Sequence, residues 1–313
     1  MSRTPIIVGS ARSEVGLPAG MAVLLAGGTA LGAVEAAMCV CEDDPEDHYV
    51  GTGGLPNARG VVELDASVMV GSTRAFAGVA AMRGFPHPLS VARAMLEHLP
   101  QHCLLAGEGA ECFAEEQGFE RAELLTAESR RLFREALTAG PDGTSGDATP
   151  ENDAYRATAA ALVHRFRPHD GPWGTINVLA LDAEGELVVG VSTSGFPWKF
   201  PGRVGDSALP GAGIYCDARF GGAACTGRGE TTMRLAGAKV IVDALSRGVQ
   251  PAQACLDMLT EAASLPDEYT SDVRALCLTP DGRHGAAACG KGATYSVLTA
   301  TSDAVELVPA VVR

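Results

Sequence analysis

Aromatic residues are scarce in this chain, and basic residues are outnumbered. Only 5% of the 313 residues are Phe, Trp or Tyr, whereas 46% are hydrophobic and 38 are glycine. A core with so few rings must be built from small and β-branched side chains that pack closely. The formal net charge is −14, and the chain has no run of Lys and Arg. Because an acidic surface repels phosphate backbones and anionic lipids, we expect no nucleic-acid or membrane partner.

Long hydrophobic runs are also missing. No stretch approaches the roughly 18 apolar residues of a membrane span, and Ile6-Ile7-Val8 is too short for the apolar core of a signal peptide. We therefore expect a cytoplasmic protein. Its nine cysteines include no C-x-x-C pair, so we expect reduced and mostly buried thiols.

Several common catalytic signatures are absent. The chain has no G-x-S-x-G nucleophile elbow, no G-x-x-x-x-G-K-[ST] phosphate loop and no G-x-G-x-x-G after a strand. His98 and His102 have the spacing of two zinc ligands on a helix, but Pro100 between them interrupts that helix. The acidic stretch 43–48 is interpreted as a solvated loop rather than a cation site. We therefore expect neither a metal nor a cofactor.

Hydrophobic periodicity and turn residues predict most of the helices and strands. Helices are expected over 17–41 with a break at Gly27-Gly28, and over 87–100, 109–118, 126–137, 154–166, 234–248 and 251–264. Strands are expected at 61–64, 68–70 and 76–82, as a hairpin over 175–193, and in 273–290 and 294–300. Residues 138–174 are polar and rich in turn formers, which indicates a flexible linker. This order favours an α+β or layered α/β/β/α body over a regular βα alternation.

Thr175 lies where this polar linker meets the first strand of the hairpin, directly after Gly174. A threonine hydroxyl is a weak nucleophile unless a base takes its proton. If the chain were cut before Thr175, the new α-amine, with a pKa of about 7.7–8.0, would supply that base within the same residue. Gly174 has no Cβ, so the backbone at this bond can adopt the strained geometry that attack by the hydroxyl requires. The pattern points to a self-cleaving threonine nucleophile.

The segment after Thr175 carries further candidate site residues. They are Thr193 in "STSG", Arg203 and Asp206 in "PGRVGDS", and Thr226 with Gly227 in "CTGRGE". Each alone has a structural explanation, as a strand residue, a loop with a local ion pair, or a turn. Together they suit a free amino-acid head group, because Arg binds a carboxylate bidentately and Asp binds an ammonium. The Thr226 hydroxyl and the Gly227 N–H suit an oxyanion hole.

These segments resemble the Thr-type N-terminal-nucleophile asparaginases, which include glycosylasparaginase, isoaspartyl peptidases and plant-type asparaginases. The resemblance also includes "VGTGGLPNARGVVELDASVMVG" and "HPLSVARAMLEH" and covers nearly the whole chain. It implies a four-layer αββα sandwich of the N-terminal-nucleophile hydrolase type, built as one domain over 1–313. It also implies an inactive precursor that cleaves itself between Gly174 and Thr175. The products would be an α chain, 1–174, with the linker at about 138–174, and a β chain, 175–313.

The resemblance implies a role for each residue named above. Thr175 is nucleophile and base, Thr193 supports it, the pair Arg203 and Asp206 binds the substrate's α-carboxylate and α-amine, and Thr226-Gly227 forms the oxyanion hole. The reaction is hydrolysis of the side-chain amide of L-asparagine, a β-aspartyl peptide or N4-glycosyl-asparagine. It passes through a β-aspartyl ester on Thr175 and releases aspartate. No cofactor is implied, and two processed αβ units pair into a homodimer.

The chain departs from the family pattern in four places. "GSARSEVG" (9–16) has no aromatic residue where glycosylasparaginase carries Trp-Pro-Phe, and the cleavage pair is Gly-Thr, as in isoaspartyl peptidases, instead of Asp-Thr. Val70 replaces an Asp, and Asn177 stands where Gly is common, either tuning the nucleophile or packing. The sequence does not decide which substrate is cleaved: one of the three aspartyl amides or the amide of a related modified amino acid. The alternative of another class is an uncleaved or inactive member that binds an amino acid.

Overall fold

Two β-sheets and their flanking helices form the described part of the chain, residues 3–138, 174–266 and 272–313 of a computed structural model. The strands are β1 (Ile6–Gly9), β2 (Leu64–Val70), β3 (Phe76–Met82), β4 (Leu104–Ala106), β5 (Ile176–Leu181), β6 (Leu187–Thr193), β7 (Ile214–Asp217), β8 (Gly221–Gly227), β9 (Val273–Leu278), β10 (His284–Ala288), β11 (Thr294–Thr299), β12 (Glu306–Pro309) and β13 (Val311–Val312). The helices are α1 (Leu17–Leu25), α2 (Ala30–Glu42), α3 (Pro88–His98), α4 (Glu108–Glu116), α5 (Ala127–Thr138), α6 (Gly229–Leu235), α7 (Gly237–Ser246) and α8 (Pro251–Ala262).

The larger sheet has eight strands in the order β12-β11-β1-β5-β6-β2-β3-β4, and the smaller has five in the order β13-β10-β9-β8-β7. All their pairings are antiparallel except β3 with β4 and β10 with β13. The predicted hairpin is confirmed, since β5 and β6 pair with Ile176 opposite Ser192. Its first strand lies near the middle of the larger sheet, between β1 and β6.

Three apolar clusters hold these elements together. The first joins α1, α2 and α3 to the larger sheet, and the third joins α7 and α8 to the smaller sheet. The second contains side chains of both sheets, among them Val189 and Val191 with Ile214 and Leu276. Small residues permit this close packing: a Cβ at Gly222 would lie 2.5 Å from Val189 Cγ2. The mixed α and β class predicted from the sequence is therefore confirmed.

Two sequence predictions are corrected by the structure, and strand β8 was not predicted. The strands predicted at 61–64 and 68–70 are one strand, β2, which begins at Leu64. The helix predicted over 234–248 is two helices, α6 and α7, because Ala236 between them has a φ of +53°. The sequence pattern does not predict strand β8, "GGAACTG". It has few residues with β propensity, and its pairing with β7 and β9 determines its structure instead.

Other predictions have mixed outcomes. The helix pair in 17–41 is confirmed, and α3 begins at Pro88 and ends at His98, before Pro100. All nine cysteines are free, and five of them are buried. The predicted helix at 154–166 and nearly all of the predicted linker lie outside the described residues. Among the helices of the described ranges, none is long and apolar enough to cross a membrane.

Candidate active site

Thr175 lies immediately before β5 and is 8% exposed. Its Oγ1 donates a hydrogen bond to Thr193 Oγ1 at 3.3 Å. Thr193 is the last residue of β6, so the antiparallel hairpin brings the start of one strand to the end of the other. Thr193 Oγ1 in turn donates to the carbonyl oxygen of Gly174 at 2.9 Å and accepts from Gly195 N–H at 2.9 Å. A chain of hydroxyls therefore links Thr175 to the carbonyl of the preceding peptide bond.

Gly174 is required by a close neighbour rather than by backbone strain. It is not among the glycines with a positive φ. A Cβ at this position would lie 1.8 Å from Cβ and 2.0 Å from Cγ of Tyr49. The expectation that glycine provides backbone freedom at this bond is therefore replaced by a steric reason. Tyr49 packs directly against the peptide unit that precedes Thr175.

Arg203 is largely buried, and its guanidinium is already engaged on one edge. Nε and Nη2 donate to the two carboxylate oxygens of Glu230 at 2.9 and 2.8 Å. Arg228 also contacts Glu230, with Nη1 3.0 Å from Oε2. A guanidinium has five N–H donors, so the Nη1–Nη2 edge of Arg203 retains donors for a carboxylate. Glu230 is not among the predicted site residues, although it ends the "CTGRGE" motif.

Asp206 is 4% exposed, and one of its oxygens, Oδ2, accepts a hydrogen bond from Thr232 Oγ1 at 2.7 Å. Burial raises the pKa of Asp206 to about 6. An ammonium ion brought beside this carboxylate would compensate its buried negative charge. Thr232 is a further contact, which no motif in the sequence indicates.

One pocket collects most of the candidate residues, and its cavity volume is about 20 Å³. Its lining includes Gly174, Thr175, Thr193, Arg203, Asp206 and Gly227, together with Tyr49, Phe196 and Pro197. Gly227 has a φ of +107°, and a Cβ there would lie 1.7 Å from the carbonyl oxygen of Asp272. Glycine is therefore the residue that the backbone at the end of β8 permits.

Thr226 is the one candidate that does not line this pocket. It is 4% exposed and lines a second cavity with Ser10, Arg274 and Tyr295. Its Oγ1 accepts a hydrogen bond from Asn177 Nδ2 at 2.6 Å. Because the oxygen serves as an acceptor in this contact, the hydroxyl proton is available to another partner.

Asn177 and Ser10 fix the backbone around Thr175. Asn177 is fully buried, and its Nδ2 also donates to the carbonyl of Cys225 at 3.2 Å. Ser10 Oγ donates to the carbonyl of Thr175 at 3.3 Å and accepts from the backbone N–H of Asn177 at 3.0 Å. The sequence left two roles open for Asn177, tuning the nucleophile or packing, and packing alone does not account for these contacts. Ser10 lies within "GSARSEVG", and no pattern in that stretch distinguishes its hydroxyl as a site residue.

Comparison with known proteins shows which family the chain resembles. The model of the asparaginase family matches residues 11–307. The N(4)-(beta-N-acetylglucosaminyl)-L-asparaginase of Elizabethkingia miricola is 35% identical over 280 residues, which cover 88% of this chain and 75% of that protein. The protein of the same name from Mus musculus is 33% identical over 304 residues, covering 94% and 87% of the two chains. The Rattus norvegicus protein is 32% identical, also over 304 residues, covering 93% and 86%.

The family match includes every residue of the candidate site except Ser10. The two pairs of contacts described above, Thr175 with Thr193 and Arg203 with Glu230, both lie within it. Since the match spans most of the sequence, the chain belongs to the asparaginase family of hydrolases.

Proposed function

We propose that this protein is a self-processing amidohydrolase that cleaves the side-chain amide of an asparagine derivative and uses Thr175 as its nucleophile. One observation carries the proposal. Thr175, whose hydroxyl donates a hydrogen bond to Thr193, lines the same pocket as Arg203 and Asp206. A nucleophile and a complementary pair of charges thus line one pocket. The two sheets, with helices packed on each, would form the αββα sandwich of N-terminal-nucleophile hydrolases.

Self-cleavage would begin with attack of Thr175 Oγ1 on the carbonyl carbon of Gly174. The C–N bond to Thr175 breaks and an ester to Oγ1 forms, with the hydroxyl proton passing to the released amine. Water then hydrolyses the ester, which leaves a carboxylate on Gly174 and a free hydroxyl and α-amine on Thr175. The 2.9 Å hydrogen bond from Thr193 to the Gly174 carbonyl supports this step, because it stabilises negative charge developing on that oxygen.

Substrate hydrolysis would use the same hydroxyl a second time. The free α-amine of Thr175 takes the hydroxyl proton, and Oγ1 attacks the carbonyl carbon of the side-chain amide. The Gly227 N–H, which lines the pocket, stabilises the oxyanion, and the Thr226 hydroxyl, which Asn177 holds beside the second cavity, would turn toward the pocket to act as the other donor. The leaving amine departs with a proton, and water hydrolyses the β-aspartyl ester to release aspartate.

Arg203 and Asp206 would select the amino-acid end of the substrate. The free Nη1–Nη2 edge of Arg203 binds the α-carboxylate, while Glu230 holds the other edge and fixes the plane of the guanidinium. Asp206 binds the α-ammonium. This clamp recognises the aspartyl part that L-asparagine, β-aspartyl peptides and N4-glycosyl-asparagine share. The names of the relatives favour N4-(β-N-acetylglucosaminyl)-L-asparagine as the first substrate to test.

The test combines processing and turnover in one preparation. We expect the purified protein to separate into two fragments on a denaturing gel, the smaller beginning at Thr175, and to release aspartate from at least one of the three substrates. Thr175→Ala should remain whole and inactive, while Thr175→Ser, which keeps a hydroxyl, should still be processed. An intact wild-type band that binds asparagine without releasing aspartate would instead support an amino-acid-binding member of the family. A homodimer of processed units is also proposed, and gel filtration of the same sample tests it.

A further inference from the structure

A cluster of metal-ligating side chains lies outside the pocket and has no part in the proposed reaction. Cys39 Sγ, a carboxylate oxygen of Glu42 and a ring nitrogen of His87 all lie within 4.8 Å of one another. Cys39 and Glu42 are three residues apart near the end of α2 and therefore share a face of that helix. His87 immediately precedes α3. Two rigid elements thus direct sulfur, oxygen and nitrogen donors toward one point.

Two of these atoms are farther apart than the partners of a charge-assisted hydrogen bond. His87 Nδ1 lies 3.4 Å from Glu42 Oε2. Both atoms are buried, and neither has a hydrogen-bond partner among the described residues. A charge-assisted N–H···O bond would be about 2.7–2.9 Å long. Two ligands of a tetrahedral zinc ion, with bonds of about 2.0–2.1 Å, are about 3.3 Å apart. The observed spacing matches that of two atoms that share a metal.

The surroundings hold the donors in position. The other ring nitrogen of His87, Nε2, lies 3.3 Å from Asp43 Oδ1, an arrangement in which a carboxylate orients a metal-binding imidazole. The second oxygen of Glu42, Oε1, accepts from the backbone N–H of Leu89 at 3.3 Å. Glu42 is fully buried, while the His87 side chain is 29% exposed, which provides a path for an ion from solvent.

We propose that Cys39, Glu42 and His87 bind one divalent transition-metal ion, with Zn²⁺ as the best match. A thiolate and an imidazole exclude Mg²⁺ and Ca²⁺, which take oxygen ligands. The two anionic ligands, thiolate and carboxylate, balance the charge of the ion, so the buried Glu42 carboxylate gains a compensating cation. Water completes the tetrahedron. The ion would connect the end of α2 to the start of α3.

Metal binding is tested first on the wild-type protein. After treatment with a chelator and its removal, the protein is dialysed against Zn²⁺, and bound zinc is measured by mass spectrometry. We expect one equivalent per chain and a rise in melting temperature that chelator reverses. With Co²⁺ in place of Zn²⁺, a sulfur-to-metal charge-transfer band should report ligation by Cys39.

Variants then assign the ligands. Cys39→Ser should lose the sulfur band, and His87→Gln should lose the stoichiometric ion. Asp43→Ala should weaken binding by about 10- to 100-fold, as expected when the orienting partner of a ligand is removed. The matched controls are Cys103→Ser and Cys112→Ser, whose thiols are exposed and distant in sequence, and both should bind the ion as wild type does.

Three results would overturn the proposal. The wild-type protein could bind no zinc at micromolar concentration, in which case His87 is an imidazolium held between Glu42 and Asp43. Binding could be lost in the cysteine controls, which would assign it to the protein surface. The cobalt complex could lack the sulfur band, which would remove Cys39 from the site. Because the first measurement uses only wild-type protein, an unfolded variant does not leave the question open.

Discussion

Replacing Gly174 with alanine should block self-cleavage, and the structure gives the size of the effect. The added Cβ would lie 1.8 Å from Tyr49 Cβ, which is 1.6 Å short of the 3.4 Å where ordinary contact begins. Relief requires the peptide unit of residue 174 to move by a comparable distance. That unit carries the carbonyl that accepts from Thr193 at 2.9 Å, so the movement breaks this hydrogen bond and misdirects attack by Thr175.

A displacement of about 1 Å of reacting groups can reduce a rate by about 100-fold, and overpacking costs about 1–3 kcal/mol of stability. We therefore expect processing of Gly174→Ala to be slower by at least about 100-fold, with a lower melting temperature. The assay follows the fraction of cleaved chain on denaturing gels against time. Gly290→Ala is the matched control and should be cleaved normally, because a Cβ at Gly290 would meet no atom within 4 Å and the residue has no positive φ.

A second substitution separates crowding from other effects of the methyl group. In Gly174→Ala/Tyr49→Gly the ring and Cβ of Tyr49 are gone, while its carbonyl, which accepts from Ser194 N–H, remains. Processing should recover in part. Wild-type cleavage of the single variant would refute the steric argument, as would a double variant that is as slow as Gly174→Ala although it is folded.

The remaining predictions concern the pocket. Arg203→Lys should raise KM for asparagine substrates by about 10-fold or more with a smaller change in kcat, because an ammonium cannot contact Glu230 and a substrate carboxylate along two edges; steady-state kinetics of the processed enzyme check this. KM should rise as pH falls below about 6, since protonation of Asp206 removes its charge. Burial of the ionised form raises this pKa, so Asp206 costs stability increasingly as pH rises from its ordinary pKa to about 6. Asp206→Asn should therefore be stabilised relative to wild type more at pH 8 than at pH 4 in thermal melts. Asn177→Ala should lower kcat by up to about 100-fold with little change in KM, since it frees the Thr226 hydroxyl.

The sequence predicts those parts of the fold and site that depend on local pattern. The hairpin of 175–193, with its β-branched and leucine residues, is an example, because its antiparallel pairing is enough to bring Thr193 beside Thr175. The helices from α1 to α5 follow from hydrophobic periodicity and from proline and glycine at their ends. The strand β8 could not be predicted in this way, because "GGAACTG" owes its structure to neighbours that are distant in sequence.

Contacts between segments that are distant in sequence are the part of the site that could not be predicted from the sequence. Tyr49 against Gly174, Glu230 on Arg203, and Cys39 near His87 each join separate elements. In every case the residue types were visible, but their partners were not. A carboxylate or a thiol has many possible neighbours, and only the packing of helices and sheets selects one of them.

Strand β5 shows how the fold joins two functions on one element. Thr175 immediately precedes β5, and Asn177 is the second residue of that strand. One contacts Thr193 on β6 of the same sheet, and the other contacts Thr226 on β8 of the other sheet. A single displacement of β5 would therefore disturb the nucleophile and the oxyanion donor together. Ser10, which bonds the backbone at both residues, opposes that displacement from β1's side of the sheet. The relative positions of the nucleophile and the oxyanion donor thus depend on β5, which pairs with β1 on one edge and with β6 on the other.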